Sequence, residues 1–239
     1  MSLKKRTCLI TGIATLGLFG LYASMLAPGL TARSYAGDGG ELLAAMLTRG
    51  VPHPSGYPTY MLLGQLFQAL PWGTPAQRGA LLSAVSAALA CGFMGLWAAR
   101  WACPKALAGR EWVIALTTTL AAGLAPLLWS QATIVEVYGL QALFTALALW
   151  WAAVLWDTYK AGNDAAETAD RRVTPGQPEG ILREGEADDA KMIRSAKPST
   201  HQILTLIGMA FLFRLGLGNH LTLALMGVPL LAGLIFAKV

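Results

Sequence analysis

A chain of 239 residues that is 55% hydrophobic and only 13% charged is not an ordinary soluble domain, which carries about 25% charged residues. Its formal charge of +5 sits beside apolar runs rather than in a basic stripe interleaved with aromatics, so membrane orientation, not nucleic acid, accounts for the basic residues. Cys8, Cys91 and Cys103 are odd in number and scattered, fit neither a disulfide framework nor a metal motif, and read as small apolar fillers.

Apolar runs of roughly 20 residues recur and are long enough to cross a bilayer. They predict an all-α fold, a polytopic transmembrane helical bundle of about six or seven membrane helices. The first run spans 7–27 behind Lys4, Lys5 and Arg6. It exceeds the roughly 7–15 residues of a signal-peptide core, so an uncleaved helix with a cytoplasmic N-terminus is expected.

Pro28 and Gly29 end this run, and residues 28–57 form a polar outer loop. Within it, Glu41 to Thr48 places Leu42, Ala45 and Met46 on one face, which predicts a short helix lying on the membrane surface. Residues 57–72 are apolar but short, and a full span follows at 79–101. A basic hinge with Arg100, Lys105 and Arg110 leads to a span at 112–130, a polar break at 130–139, and a span at 140–156.

Residues 157–200 hold nine of the thirteen acidic residues and seven basic ones, with few large apolar side chains. They are expected to be a disordered cytoplasmic linker. Two more spans are expected in 201–239, at 202–217 and 221–237, joined by a turn at Gly218, Asn219 and His220. The organisation is therefore a module over 1–156, a linker over 157–200, and two further helices.

The basic hinge belongs on the cytoplasmic side. That requires one net crossing between 57 and 101, so 57–72 is re-entrant or interfacial. The alternative, a full crossing by 57–72, forces the hinge outward. The first arrangement brings Glu136 and His220 to the outer side, opposite the loop from Gly37 to Pro58.

Outside the linker only Asp38, Glu41, Glu111 and Glu136 are acidic. Acids near a bilayer are costly and so are candidates for function. Asp38 and Glu41 have two readings. Asp38 can cap a helix starting near Gly39, with Glu41 in its first turn. Alternatively one carboxylate is a general base for an acceptor hydroxyl while the other orients the acceptor or holds a divalent cation.

His53 sits between Pro52 and Pro54, with Pro58 beyond, on a path the prolines make rigid. It can serve as a donor or base, or simply bond to neighbouring backbone. Glu136 and Asn219 can each start a helix and His220 can sit in a plain turn, or all three can line a site together with Tyr57 and Tyr138. Arg214 lies inside an apolar run, where it either snorkels to the interface or faces inward to a phosphate or Glu136. No GxGxxG, GxxxxGK[ST], HExxH or GxSxG motif is present.

Asp38-Gly39-Gly40-Glu41 after a first span, then His53 to Pro58 as HPSGYP, resembles a large family of polytopic membrane proteins first described as a domain of unknown function. The family includes the eukaryotic transmembrane O-mannosyltransferase of plexin and receptor-kinase ectodomains. Leu128–Phe144 and Gly216–Pro229 are similar to later stretches of the same family, in the same order. The resemblance implies a glycosyltransferase of GT-C type. Such an enzyme moves a sugar, mannose for instance, from a polyprenyl-phosphate donor to a protein or glycan hydroxyl on the outer face. By position it implies Asp38 as the acidic residue needed for catalysis, Glu41 in support, and His53, Glu136 and His220 around the same cavity. Arg214 has no motif counterpart, and a phosphate role for it rests on its charge alone. Family members are usually longer, so this chain is expected to hold their N-terminal part. The competing classes are a transporter or flippase and a non-catalytic assembly protein.

Overall fold

The computed structural model describes residues 3–30, 37–101, 107–173, 200–220 and 223. Among them every regular element is a helix. In chain order these are α1 (Leu3–Ser24), α2 (Gly39–Thr48), α3 (Pro58–Gln68), α4 (Pro75–Trp101), α5 (Glu111–Gly123), α6 (Pro126–Ala132), α7 (Tyr138–Val173) and α8 (Thr200–Leu217). The chain divides into two compact units, one of residues 1–150 and 210–239 and one of residues 151–209.

The larger unit is organised around α4. Its buried positions, among them Gly79, Ala80, Ser83, Ala84, Ala87, Cys91, Gly92 and Gly95, run round the helix rather than along one stripe. Small residues let other helices approach its backbone closely, which is how helices pack where lipid replaces water. At Gly95 an added Cβ would lie 2.6 Å from the Ala115 carbonyl oxygen of α5. At Gly139 it would lie 2.8 Å from the Ser83 carbonyl oxygen of α4.

Helix directions follow from the contacts. Thr74 Oγ1, just before α4, donates to the Pro28 carbonyl just after α1 at 2.7 Å. At the other end, Arg6 of α1 stacks on Trp112 of α5 at 4.9 Å and Arg100 of α4 stacks on Trp150 of α7 at 5.4 Å. So α1 and α5 run one way, and α4 and the start of α7 run the other. Arg6, Arg100 and Arg110 lie at one end of the bundle, and α2, α3, α6 and the loop 133–137 occupy the opposite end, together with Arg49 and Arg78.

Among the described residues, three stretches are long and apolar enough to cross a membrane: Leu3–Ser24, Pro75–Trp101 and Tyr138–Asp157. A fourth arises if α5 and α6 count as one broken span, bent by 68°. The described residues thus hold three or four of the six or seven expected. The segment at 57–72 yields α3, whose 11 residues extend about 16 Å, half of a bilayer core. The expected straight span at 112–130 breaks ahead of Pro126, because proline removes an N–H and disfavours a helical residue before it. Its last carbonyl is not abandoned, since the Tyr22 hydroxyl donates to Gly123 O at 2.6 Å. The expected span at 221–237 lies outside the described residues apart from Leu223.

Two further expectations change. The apolar face of α2 does not lie bare on a surface: Leu42, Leu43, Ala45 and Met46 are buried, with the Met46 side chain seated over Gly64 of α3. And α7 continues to Val173, well into the segment expected to be disordered. Charge and low hydrophobicity argue against a packed core, but alanine, glutamate, lysine and arginine are good intrinsic helix formers. In the smaller unit, Trp151 of α7 packs against Gly208 of α8.

Candidate functional site

The end of the bundle that holds α2 and α3 carries a compact polar cluster built from three separate stretches. The first is the start of α2. Gly37, at φ +39°, turns the chain into the helix and lies so close to the Glu136 carboxylate that a side chain there would collide with it. Asp38 occupies the N-cap position, yet its carboxylate makes no capping hydrogen bond. The capping expectation thus holds for its place in the chain and not for its side chain, which is about half exposed. Glu41 lies in the first turn of α2.

The second stretch is the proline-framed loop. Glu41 Oε1 accepts the backbone N–H of His53 at 2.6 Å, and Glu41 Oε2 lies 2.9 Å from Nδ1 of the same residue. One carboxylate thereby holds both the main chain and the ring of His53. The other ring nitrogen, Nε2, is 2.9 Å from the Tyr57 hydroxyl and 3.5 Å from Asp38 Oδ2. The loop closes on itself, with Gly56 N–H donating to His53 O at 2.8 Å. Tyr57 then takes a left-handed conformation at φ 44° and leads into Pro58 at the first turn of α3.

The third stretch joins residues 133–138 with the turn after α8. Glu136 is buried, and its Oε1 accepts the backbone N–H of Asp38 at 3.1 Å. Ser83 of α4 donates to the Glu136 carbonyl at 2.9 Å and so fixes that residue's main chain. Asn219 is fully buried and donates from Nδ2 to Val137 O at 3.3 Å and Gln141 Oε1 at 3.2 Å. His220 stacks on Tyr57 at 6.0 Å and lies 5.8 Å from the half-exposed ring of Tyr138. Thr59 ties this turn to α3, its N–H donating to Gly218 O at 3.1 Å and its Oγ1 to Leu215 O at 2.7 Å.

The electrostatics follow the contacts. The hydrogen bond from His53 holds Glu41 below its ordinary range, and the same bond lifts His53 above its own, with the charges of Asp38, Glu41 and Glu136 adding. Burial pushes Glu136 up, and the amide of Asp38 partly offsets that. Burial also raises Tyr57. Donor atoms of Asp38, Glu41 and His53 lie within 4.8 Å of one another, a spacing a divalent cation can bridge. Both ring nitrogens of His53 are in hydrogen-bonding contact as well, Nδ1 with Glu41 and Nε2 with Tyr57.

Asp38, Glu41, His53, Tyr57, Glu136, Tyr138, Asn219 and His220 are therefore brought to one end of one unit. Arg214 is exposed in the last turn of α8, and no ion pair with Glu136 exists among the described residues. Ser83 and Gln141 are additions that sequence reasoning missed. Both sit inside apolar helices, and the small-residue spacing of α4 gives no hint that one serine supports Glu136.

No curated protein and no solved structure gives a significant match to this chain. A family model does match, over residues 38–177, more than half of the 239. It begins at Asp38 and takes in the DGGE, HPSGYP and Glu136 stretches of the cluster. The chain belongs to the family described as the protein O-mannosyl-transferase TMEM260 N-terminal domain.

Proposed function

We propose that this protein is a multi-pass membrane glycosyltransferase of GT-C type whose Asp38 is the general base. It moves a sugar, mannose by analogy with the family's name, from a polyprenyl-phosphate donor to a protein or glycan hydroxyl on the outer face. As the acceptor oxygen attacks the anomeric carbon, its proton passes to the Asp38 carboxylate. The bond from that carbon to the donor phosphate breaks, and the phosphate leaves with the electron pair. The N-terminus and the ends of α1, α4 and α5 that carry Arg6, Arg100 and Arg110 face the cytoplasm, which puts the cluster outside.

One observation carries this reading. Of the two carboxylates in the DGGE stretch, Glu41 is committed to His53, whereas Asp38 makes no capping bond and is half exposed beside the imidazole. A half-exposed carboxylate whose backbone is held by Glu136 and which lies beside an imidazole suits a general base. Tyr138 and His220 then line the sugar's side, and Arg214, on the last turn before His220, takes the donor phosphate.

The test is mannose transfer from polyprenyl-phosphate mannose in membranes carrying the full-length gene product. Asp38→Asn is expected to abolish transfer without lowering the amount of protein in the membrane. Undiminished transfer by that variant would exclude Asp38 as the base.

A further inference from the structure

We propose that Glu41 and His53 form a proton relay behind Asp38, with Glu41 as the positioning residue and His53 Nε2 as the atom that takes the proton Asp38 has removed from the acceptor. The inference rests on the general-base reading of Asp38 and adds the step that returns the carboxylate to its working state.

Geometry assigns the direction. An ionised carboxylate only accepts hydrogen bonds, so Glu41 Oε2 at 2.9 Å from Nδ1 places a hydrogen on Nδ1. Nε2 of the neutral ring then carries no hydrogen and accepts from the Tyr57 hydroxyl. It faces the Tyr57 hydroxyl at 2.9 Å and Asp38 Oδ2 at 3.5 Å. The second bond of Glu41, to the His53 amide at 2.6 Å, fixes the main chain as well, so the ring does not swing away from Asp38. The edge-on contact with Tyr57, with ring centroids 5.3 Å apart at 76°, restrains the ring on its other side.

The proton balance is complete. The acceptor hydroxyl loses a proton to Asp38 while its oxygen bonds to the sugar. Asp38 passes that proton to His53 Nε2 and regains its charge. The resulting imidazolium is paired with Glu41 and releases the proton to water through its exposed edge. Charged and titratable groups face His53 from every element around it: Asp38 and Glu41 from α2, Tyr57 from its own loop, and Glu136 from the loop before α7. Tyr138 and His220 lie one ring further out, around Tyr57. The three carboxylates all favour the protonated imidazole, which suits a transient proton holder.

Glu41→Gln is nearly isosteric and presents an amide N–H₂ to Nδ1, which reverses the tautomer and leaves Nε2 protonated. The experiment measures polyprenyl-phosphate mannose transfer across pH for the wild type, Glu41→Gln, His53→Gln and Asp38→Asn. Expected is a fall in kcat of about a hundredfold in Glu41→Gln and His53→Gln, the lower end of what a positioned proton-transfer group contributes, with the donor KM little changed. The acid limb of the wild-type profile should move to lower pH in His53→Gln, where only carboxylates remain to be protonated. Equal kcat and an unchanged pH profile in both glutamine variants, with Asp38→Asn inactive, overturns the relay and leaves the base assignment standing. An active Asp38→Asn overturns the base assignment instead. Imidazole nitrogen NMR of the detergent-solubilised protein gives a readout independent of activity. Hydrogen on Nδ1 in the wild type and its shift to Nε2 in Glu41→Gln support the relay, and hydrogen on Nε2 in the wild type overturns it.

Discussion

The backbone N–H of Asp38 donates to Glu136 Oε1 at 3.1 Å, across a sequence separation of 98 residues. This bond places the DGGE stretch on the bundle. Glu136 is itself held by Ser83 from the central helix, so a chain of main-chain and side-chain contacts runs from α4 to the residue assigned as the base. Glu136 accordingly acts as the anchor of the loop.

Glu136→Gln keeps an oxygen for the Asp38 amide and should fold and transfer close to the wild type. Glu136→Ala leaves that amide unpaired beside a buried space and should lower stability by about 1–3 kcal/mol, with a larger loss of transfer. Thermal unfolding in detergent together with the transfer assay checks both. Equal behaviour of the alanine and glutamine variants would argue against the anchor.

The packing of α5 on α4 makes a sharper demand on residue size. Gly95→Ala would push a methyl to 2.6 Å from the Ala115 carbonyl and should destabilise by about 1–3 kcal/mol, as overpacking does. Gly12→Ala, where no atom lies within 4 Å of the added carbon, should be neutral or slightly stabilising, since alanine suits a helix better than glycine. Melting temperatures of the two variants should separate in that order.

Stability should depend on pH through Glu41 and His53 in opposite senses. His53 is raised above 6.5, chiefly by its hydrogen bond to Glu41. Its contribution is full below the unfolded value and is lost as pH rises through the raised one. Glu41 is lowered from 4.5, chiefly by the bond from His53. Its contribution is present above that value and is lost as pH falls through the lowered one. The difference in Tm between wild type and His53→Gln should therefore be widest between the two folded values and shrink on both sides. A difference that is flat with pH would mean the contact is not ionic.

The orientation assigned to the bundle has a direct check. Thr48 ends α2 at the cluster end, and Ala108 lies just before α5 at the basic end, both exposed. With single cysteines introduced in turn, an impermeant thiol reagent added from outside should label position 48 and spare position 108 in sealed cells. Labelling of both would place α3 across the membrane.

Much of the site was legible because its residues are unusual where they stand. Asp38, Glu41 and Glu136 are acids in an apolar chain, and three prolines frame His53. Their partnership was less so. The two-residue gap between Asp38 and Glu41 fits a capped helix and a catalytic pair equally well, and only the loop's return shows that Glu41 is spent on His53. Hydropathy identified the long helices, but it made α5 and α6 a single span, since Pro126 interrupts geometry without changing polarity. It also read residues beyond Trp156 as disordered, because hydropathy measures the capacity to bury surface and not the local preference for a helix. Arg214 stood out by the same logic as the acids, yet its length lets the guanidinium lie at the surface with no pairing to Glu136.

The Tyr22 hydroxyl meets Gly123 O at the place where α5 stops and α6 turns away. A carbonyl released by a broken helix finds no hydrogen in hydrocarbon, so this phenol takes the part that water would play in a soluble protein. The first helix is thus more than a tether. It supplies the hydrogen that the break between α5 and α6 lacks, just upstream of the loop that carries Glu136.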